Sequence, residues 1–219
     1  MKKKRHVPKF RRATPALRRE ALIEATLGCL KKYGHDGMSV RRISAAAGVS
    51  IGLINHHFPN KSALIAETYE TLALSLQDSL RAGAKNRTTS PRKRLSDFFR
   101  ASFAPELLDP QLFNVWVVFW SMVAHSPEIR AVHDRTYVKY RSILEALLGE
   151  LAKSGAAPPL KLRAAAIALS ALLDGLWVEL SLSSDTFKPS EAIAVCEDWV
   201  NALCAGAFAR MLRDKSHKS

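Results

Sequence analysis

The sequence predicts an all-α protein. Apolar residues recur three and four positions apart in one segment after another, most of these segments open on proline or a small polar residue, and several close on glycine. Charge sets the organisation. Residues 1–61 carry 14 Lys and Arg against 3 Asp and Glu, whereas residues 62–219 carry 19 against 17. The first quarter of the chain therefore suits a polyanionic partner, and the remainder has a near-neutral surface. At 219 residues and 47% hydrophobic composition, the chain can hold a substantial core in one large domain or two small ones.

Residues 1–14 are too basic and too poor in apolar residues to pack, which predicts a disordered arm. Lys2, Lys3, Lys4, Arg5, Arg11 and Arg12 could contact backbone phosphate or a minor groove, or simply keep the chain soluble. A first helix starts near Pro15, buries Leu22, Ile23, Thr26, Leu27 and Leu30, and stops at Gly34. Two short helices follow in SVRRISAAAGVSIGLINHHF, residues 39–58. Val40, Ile43 and Ala47 make one apolar face, with Ser39 placed to cap the orphan amides at its start. Gly48 supplies the left-handed turn, Val49 fills the angle, and Ser50 caps the next helix. On that helix Ile54 and Phe58 turn inward, leaving Leu53, Asn55, His56 and His57 to face out beside Arg41 and Arg42. Such a face fits the major groove of double-stranded DNA. Residues 15–60 thus read as a helix-turn-helix DNA-binding domain.

The segment PNKSAL restarts a helix with Asn60 as its cap. Lys61 falls in the first turn, where its charge opposes the helix dipole. A DNA phosphate would resolve that mismatch, and a solvated lysine is the plainer alternative. The helix continues to Gly83, long enough to connect two domains, so residues 61–219 form the second one. The polar stretch AKNRTTSPRKR is a loop. Pro91 then opens a helix facing inward with Leu95, Phe98, Phe99 and Phe103. LFNVWVVFWSMVAH, residues 112–125, is apolar nearly all round and predicts a helix in the middle of a bundle. A long helix runs from Pro127 to about Ser154, with His133, Tyr137, Tyr140 and Leu144 along one stripe. The last two helices, about 160–182 and 189–212, mix large apolar residues with Ala164, Ala168, Ala171 and Gly175, then Ala202, Ala205, Gly206 and Ala209.

Within this second part Trp116, Trp120, Tyr137, Asp174 and Trp177 stand out. Asp174 lies in the apolar run ALLDGLW and needs a partner if it is buried, and Trp177 shares its face. Two readings stay open. Either the aromatics are plain core and Asp174 caps a helix or pairs with an arginine such as Arg135 or Arg141, or the group is a cage for an organic cation.

Other classes find little support. There is no phosphate-cradling glycine loop, no Ser/His/Asp order and no metal spacing, and the adjacent His56 and His57 cannot make an i, i+4 zinc pair. The protein is expected to be no enzyme and to need no cofactor or metal. Cys29, Cys196 and Cys204 lack a CxxC spacing and are expected as reduced thiols. No apolar signal-peptide core follows the basic start, and the uncharged run 110–127 is short of a confident membrane span, which predicts a cytoplasmic protein without a membrane partner. A non-specific architectural DNA binder would account for the charge but not for the aromatic-rich remainder.

The run from Ile43 through Ala47, Gly48 and Val49 to Gly52, His56, Phe58 and Lys61 resembles the TetR-family helix-turn-helix. The resemblance implies a homodimeric, ligand-responsive transcription factor on a palindromic operator, with a three-helix N-terminal domain and a helical-bundle regulatory and dimerisation domain. It also implies contacts to DNA by residues among Ser39, Arg41, Arg42, Ser50, Gly52, Leu53, Asn55, His56, His57 and Lys61, the lysine touching the backbone. Asn55 and His57 depart from the wider family, in which aromatic residues are frequent at these positions. FNVWVVFWSMVAHSPEIRAVHDRTYVKYRSIL followed by LLDGLW is similar to the BetI-type branch, over most of residues 16–210. That likeness implies repression of glycine-betaine or related amine genes, release by choline or another quaternary ammonium, and a ligand role for Trp116, Trp120, Asp174 and Trp177. A TetR-type regulator answering an unrelated hydrophobic ligand is the alternative.

Overall fold

The computed structural model describes residues 14–86, 88–183 and 185–208, so the basic arm, apart from Thr14, lies outside the described residues. These residues form α1 (Pro15–Tyr33), a 3-10 turn (Gly34–Met38), α2 (Val40–Ala47), α3 (Ile51–His57), α4 (Lys61–Gly83), α5 (Pro91–Ser102), α6 (Pro110–Val123), α7 (Pro127–Lys153), α8 (Leu162–Leu182) and α9 (Pro189–Cys204). The chain divides into two compact units after Thr68, two turns inside α4.

In the N-terminal unit Thr14 caps α1, its hydroxyl accepting from the Leu17 N–H at 3.3 Å, and Pro15 follows where a missing N–H costs nothing. Leu22, Ile23, Thr26, Cys29 and Leu30 are the buried stripe, whereas Leu27 is only half-buried. One core holds Leu22, Ile23, Cys29, Ile43, Ile54, Phe58 and Leu64, with Val40, Ala47 and Val49 packed on it. Leu64 explains why the first turns of α4 belong to this unit. Gly48 takes φ 63 and ψ 32, the left-handed conformation that ends α2 at low cost.

In the C-terminal unit Ser90, Asp109 and Ser126 cap α5, α6 and α7 through their side chains. The core joins Leu80 of α4, Leu95, Phe98 and Phe99 of α5, Leu144, Leu148 and Leu151 of α7, Leu169 and Leu173 of α8, and Cys196, Val200 and Leu203 of α9. A Cβ on Gly83 would stand 2.9 Å from the Ala101 Cβ, so α4 meets α5 without room for any side chain there.

Two expectations about helices change. α6 is not central: it buries Phe113, Val115, Trp116 and Phe119 on one side, while Val117 is 43% exposed on the other. Its all-round apolar sequence hid a one-sided helix because Val117 and Met122 need no burial to be tolerated. α9 ends at Cys204, where Ala205 and a left-handed Gly206 at φ 80 stop it short of Leu212. Part of that predicted continuation, 209–212, lies outside the described residues. α8 is long and apolar enough by composition to cross a membrane, yet it carries Asp174 and Glu179, and its Ala165, Ala166, Leu169 and Leu173 sit in the core.

Candidate functional site

On the N-terminal unit, Ser50 caps α3 by accepting from the Leu53 N–H at 3.2 Å. Ile54 and Phe58 anchor the inner face, and Arg41, Arg42, Ser50, Gly52, Asn55 and His56 are left exposed, with Leu53 and His57 half-buried. Ser39 departs from its expected role. It occupies the cap position of α2, but its hydroxyl makes no capping bond, and the residue is exposed. Packing does not require glycine at 52, since an added Cβ would meet only the Ser50 Oγ at 3.8 Å. Arg42 lies over the Tyr33 ring at 4.1 Å, which holds the guanidinium at the surface. Asn60 caps α4 by accepting from the Ala63 N–H at 2.7 Å, and Lys61 is exposed beside that cap.

Arg19 is a residue that periodicity does not single out. Its guanidinium donates to the His57 carbonyl oxygen at 2.6 Å, forms a two-point ion pair with Glu67, and lies 4.3 Å over the Phe58 ring. One side chain on α1 thus satisfies a terminal carbonyl of α3 and ties it to α4.

In the C-terminal unit a cavity of about 100 Å³ lies among α4, α6, α7 and α8. Trp116, Trp120, Tyr137, Asp174 and Trp177 all line it, together with Tyr69, Gln77, Phe103, Leu107 and Tyr140. Trp120 is the centre of the aromatic wall. Its ring centroid is 6.1 Å from that of Trp116 and 6.1 Å from that of Trp177, the latter nearly perpendicular at 80°. Trp177 is oriented by donating from Nε1 to the Leu107 carbonyl oxygen at 2.9 Å. Tyr69 packs edge-on to Trp116 at 5.7 Å and donates to or accepts from His133 Nδ1 at 2.9 Å.

Asp174 has neither of the arginine partners expected. Arg135 makes a two-point pair with Glu70 at 2.8 and 2.6 Å, and the Arg141 guanidinium sits 5.7 Å over the Tyr137 ring. The partner is Tyr137, whose hydroxyl donates to Asp174 Oδ2 at 2.9 Å. A neutral donor adds no opposite charge, so Asp174 has a hydrogen-bond partner but makes no ion pair among the described residues, and Arg141 acts on it only through its field. Burial pushes Asp174 up to about 6, offset in part by the Tyr137 hydrogen bond and by Arg141. Burial, then the neighbouring Asp174, raises the Tyr137 phenol well above its ordinary value, so it keeps its proton. Burial also lowers His133, favouring the neutral ring. Tyr69 is raised by burial, with a smaller opposing effect from the Trp120 indole N–H, which itself makes no bond of normal geometry.

The sequence named five residues of this cavity and missed Tyr69 and Gln77. Both sit on α4 at positions that periodicity explains as core, and nothing local marks them as polar groups facing a void.

Comparison with known proteins matches both halves in order. Residues 22–68 match the model of the bacterial regulatory proteins of the tetR family, and residues 91–205 match that of the BetI-type transcriptional repressor, C-terminal. The chain is 31% identical to the HTH-type transcriptional regulator BetI of Burkholderia thailandensis, covering 86% of this chain and 94% of that one. A crystal structure of a transcriptional regulator from Pseudomonas aeruginosa PAO1 superposes with a TM-score of 0.84 at 47% identity, over 93% of this chain and 98% of the other. A regulator from Saccharomonospora viridis, solved in complex with choline, shares the fold with a TM-score of 0.71 at 20% identity, over 85% and 96% of the two chains. These relatives are named as regulators and not as enzymes. With the helix-turn-helix unit and the cavity-bearing unit each matched over most of their length, the chain belongs to the TetR family, as a DNA-binding transcriptional repressor with a BetI-type, ligand-binding C-terminal domain.

Proposed function

We propose that this repressor holds a palindromic operator as a homodimer and is released by choline or another small quaternary ammonium ion seated on Asp174. The observation that carries this reading is a buried carboxylate whose partner is a neutral phenol, walled by three tryptophans. A cation there would regain the Coulomb attraction that Tyr137 does not supply. Each aromatic face would add roughly 0.5 to 2 kcal/mol of cation-π attraction. The choline held by the regulator from Saccharomonospora viridis agrees in ligand class. The regulated genes would then be those of glycine-betaine synthesis or related amine metabolism, and the protein would act in the cytoplasm.

For DNA, the exposed Arg41, Arg42, Ser50, Gly52, Asn55 and His56, with Leu53 and His57 at their edge, form a face for the major groove. Gly52 allows the backbone to approach closely, and Lys61 takes a phosphate. Ser39 contributes as an exposed hydroxyl and not as a cap. The dimer would form through α8 and α9, on which Ile167, Leu182 and Val195 are exposed at 43%, 70% and 45% near Ala171 and Gly175. The two recognition helices would then suit half-sites about 34 to 36 Å apart or a small multiple of that. A ligand that favours another position of α4 weakens operator binding by the ratio of its affinities for the two states.

The test is fluorescence anisotropy of the full chain on its own upstream DNA at fixed salt, with choline, betaine aldehyde, spermidine and a neutral aromatic. Release by the quaternary amines alone supports the reading. Release by the neutral aromatic alone would assign the cavity to a hydrophobic ligand and return Asp174 to a structural role. A specificity ratio near one would make the protein an architectural DNA binder.

A further inference from the structure

The cavity wall contains an acceptor that nothing among the described residues satisfies. Gln77 lines the cavity from α4 and is only 3% exposed. Its Nε2 donates to the Thr136 carbonyl oxygen at 2.9 Å. A carbonyl only accepts, so this contact fixes the amide: turned over, it would set oxygen against oxygen. Oε1 is therefore the remaining group, and it is buried with no hydrogen-bond partner. Buried polar atoms are nearly always paired, and one left unpaired beside a cavity calls for a donor that the cavity's occupant supplies. Trp120 presents the complementary case, since its Nε1 is a buried donor with no bond of normal geometry.

We propose that Gln77 reads a hydrogen-bond donor on the effector, so that the effector is a small alkylammonium ion carrying a hydroxyl or N–H apart from its alkylated cationic centre. This inference rests on the cation-cage reading of the same cavity. Asp174 and the tryptophans recognise the charge, which any tetraalkylammonium carries. Gln77 recognises what a bare tetraalkylammonium lacks, because an ion with only C–H groups offers its oxygen no conventional donor. A site with a buried polar group discriminates strongly against an analogue that leaves that group unpaired.

The experiment is calorimetric titration of the full-length protein, free of DNA, with choline and with propyltrimethylammonium, in which a methyl group replaces the hydroxyl at the same chain length. Wild-type protein is expected to bind choline about tenfold more tightly or better. In Gln77→Met, which keeps length but removes both the oxygen and the amide donor to the Thr136 carbonyl, the preference should fall to about threefold or less, because an effect of the lost Thr136 contact falls on both ions alike and cancels in the ratio. An unchanged preference, or equal weakening of both ions, would overturn the proposal and leave the cage intact. If neither ion binds the wild-type protein, the cage fails and this inference with it. Should Gln77→Met not fold, the O-methyl ether of choline gives the answer in wild-type protein, since it keeps the cation and the oxygen and lacks the donor, with butyltrimethylammonium as the control for its added methyl group. Binding as weak as that of the propyl analogue supports the proposal, and binding as tight as that of choline overturns it.

Discussion

In the N-terminal unit the charged groups of the candidate surface stand in water, with Arg41, Arg42 and Lys61 all exposed, whereas the C-terminal unit places a single carboxylate, Asp174, inside an aromatic wall. The two arrangements suit opposite partners. Exposed cations in number attract a polyanion through a long-range, salt-screened field, and no one of them is decisive. A desolvated lone charge acts at contact distance, and removing it removes the site. The contrast extends to the neighbours: Arg19 in the first unit is fully paired by Glu67 and a carbonyl oxygen, while Asp174 in the second has only a phenol.

The largest expected effect tests the buried half of this contrast. Asp174→Asn should weaken choline binding by roughly a hundredfold, the lower part of the range for truncating a buried charge partner. Operator affinity without ligand should stay within about twofold, because the exposed surface is untouched. The same variant should melt higher at pH 7. Asp174 titrates near 6 in the folded protein against an unfolded value of about 3.9, so its ionisation withdraws stability as pH rises between those values, by up to about 3 kcal/mol. A lower melting temperature would show that the Tyr137 bond outweighs desolvation.

The next effect is pH dependence in wild-type protein. Choline carries a permanent charge, so its affinity should follow ionisation of Asp174, rising about tenfold from pH 5 to pH 7 and levelling above it. Calorimetry that finds a flat profile would remove Asp174 as the charge partner. On the exposed side, Arg19→Met keeps an apolar stem over Phe58 but loses the contacts to His57 and Glu67. Operator binding should weaken by up to about tenfold on all sequences, consistent with one or two part-exposed hydrogen bonds at about 1 kcal/mol each. Choline affinity should not move. Unchanged operator binding would mean that the Ile54 and Phe58 contacts alone hold α3. The smallest effect belongs to Lys61→Ala, expected to lower affinity a few-fold on every sequence and to reduce the salt slope by about 0.9. A loss confined to one operator would contradict a phosphate role.

The order and most limits of the helices were legible because local chemistry writes them: Pro15, Pro91, Pro127 and Pro189 open helices, and Gly34 and Gly48 close them. The cavity was legible only in part. Trp116, Trp120, Trp177 and Asp174 are conspicuous in an apolar sequence, but the partner of Asp174 depends on how α7 and α8 cross. Tyr137 therefore reaches it where the spacing suggested an arginine. Gln77 and Arg19 were illegible for the same reason, since their roles come from atoms 59 and 38 residues away in sequence. Ser39 shows the converse, a residue of the right type at the cap position whose hydroxyl makes no capping bond.

If α4 moves when a ligand binds, the close packing at Gly83 would be its fulcrum. The Gly83 backbone lies so close to α5 that an added Cβ would stand 2.9 Å from the Ala101 Cβ, while the other end of α4 is 22 residues away. At about 1.5 Å per residue, Ala73 on the cavity wall lies roughly 15 Å from the fulcrum and Lys61 roughly 33 Å. If α4 turns as a straight rod, a displacement of about 1 Å at Ala73 becomes about 2 Å at Lys61. On the proposed reading, in which a ligand in the cavity displaces α4, the gearing would be set by where the glycine falls along the helix.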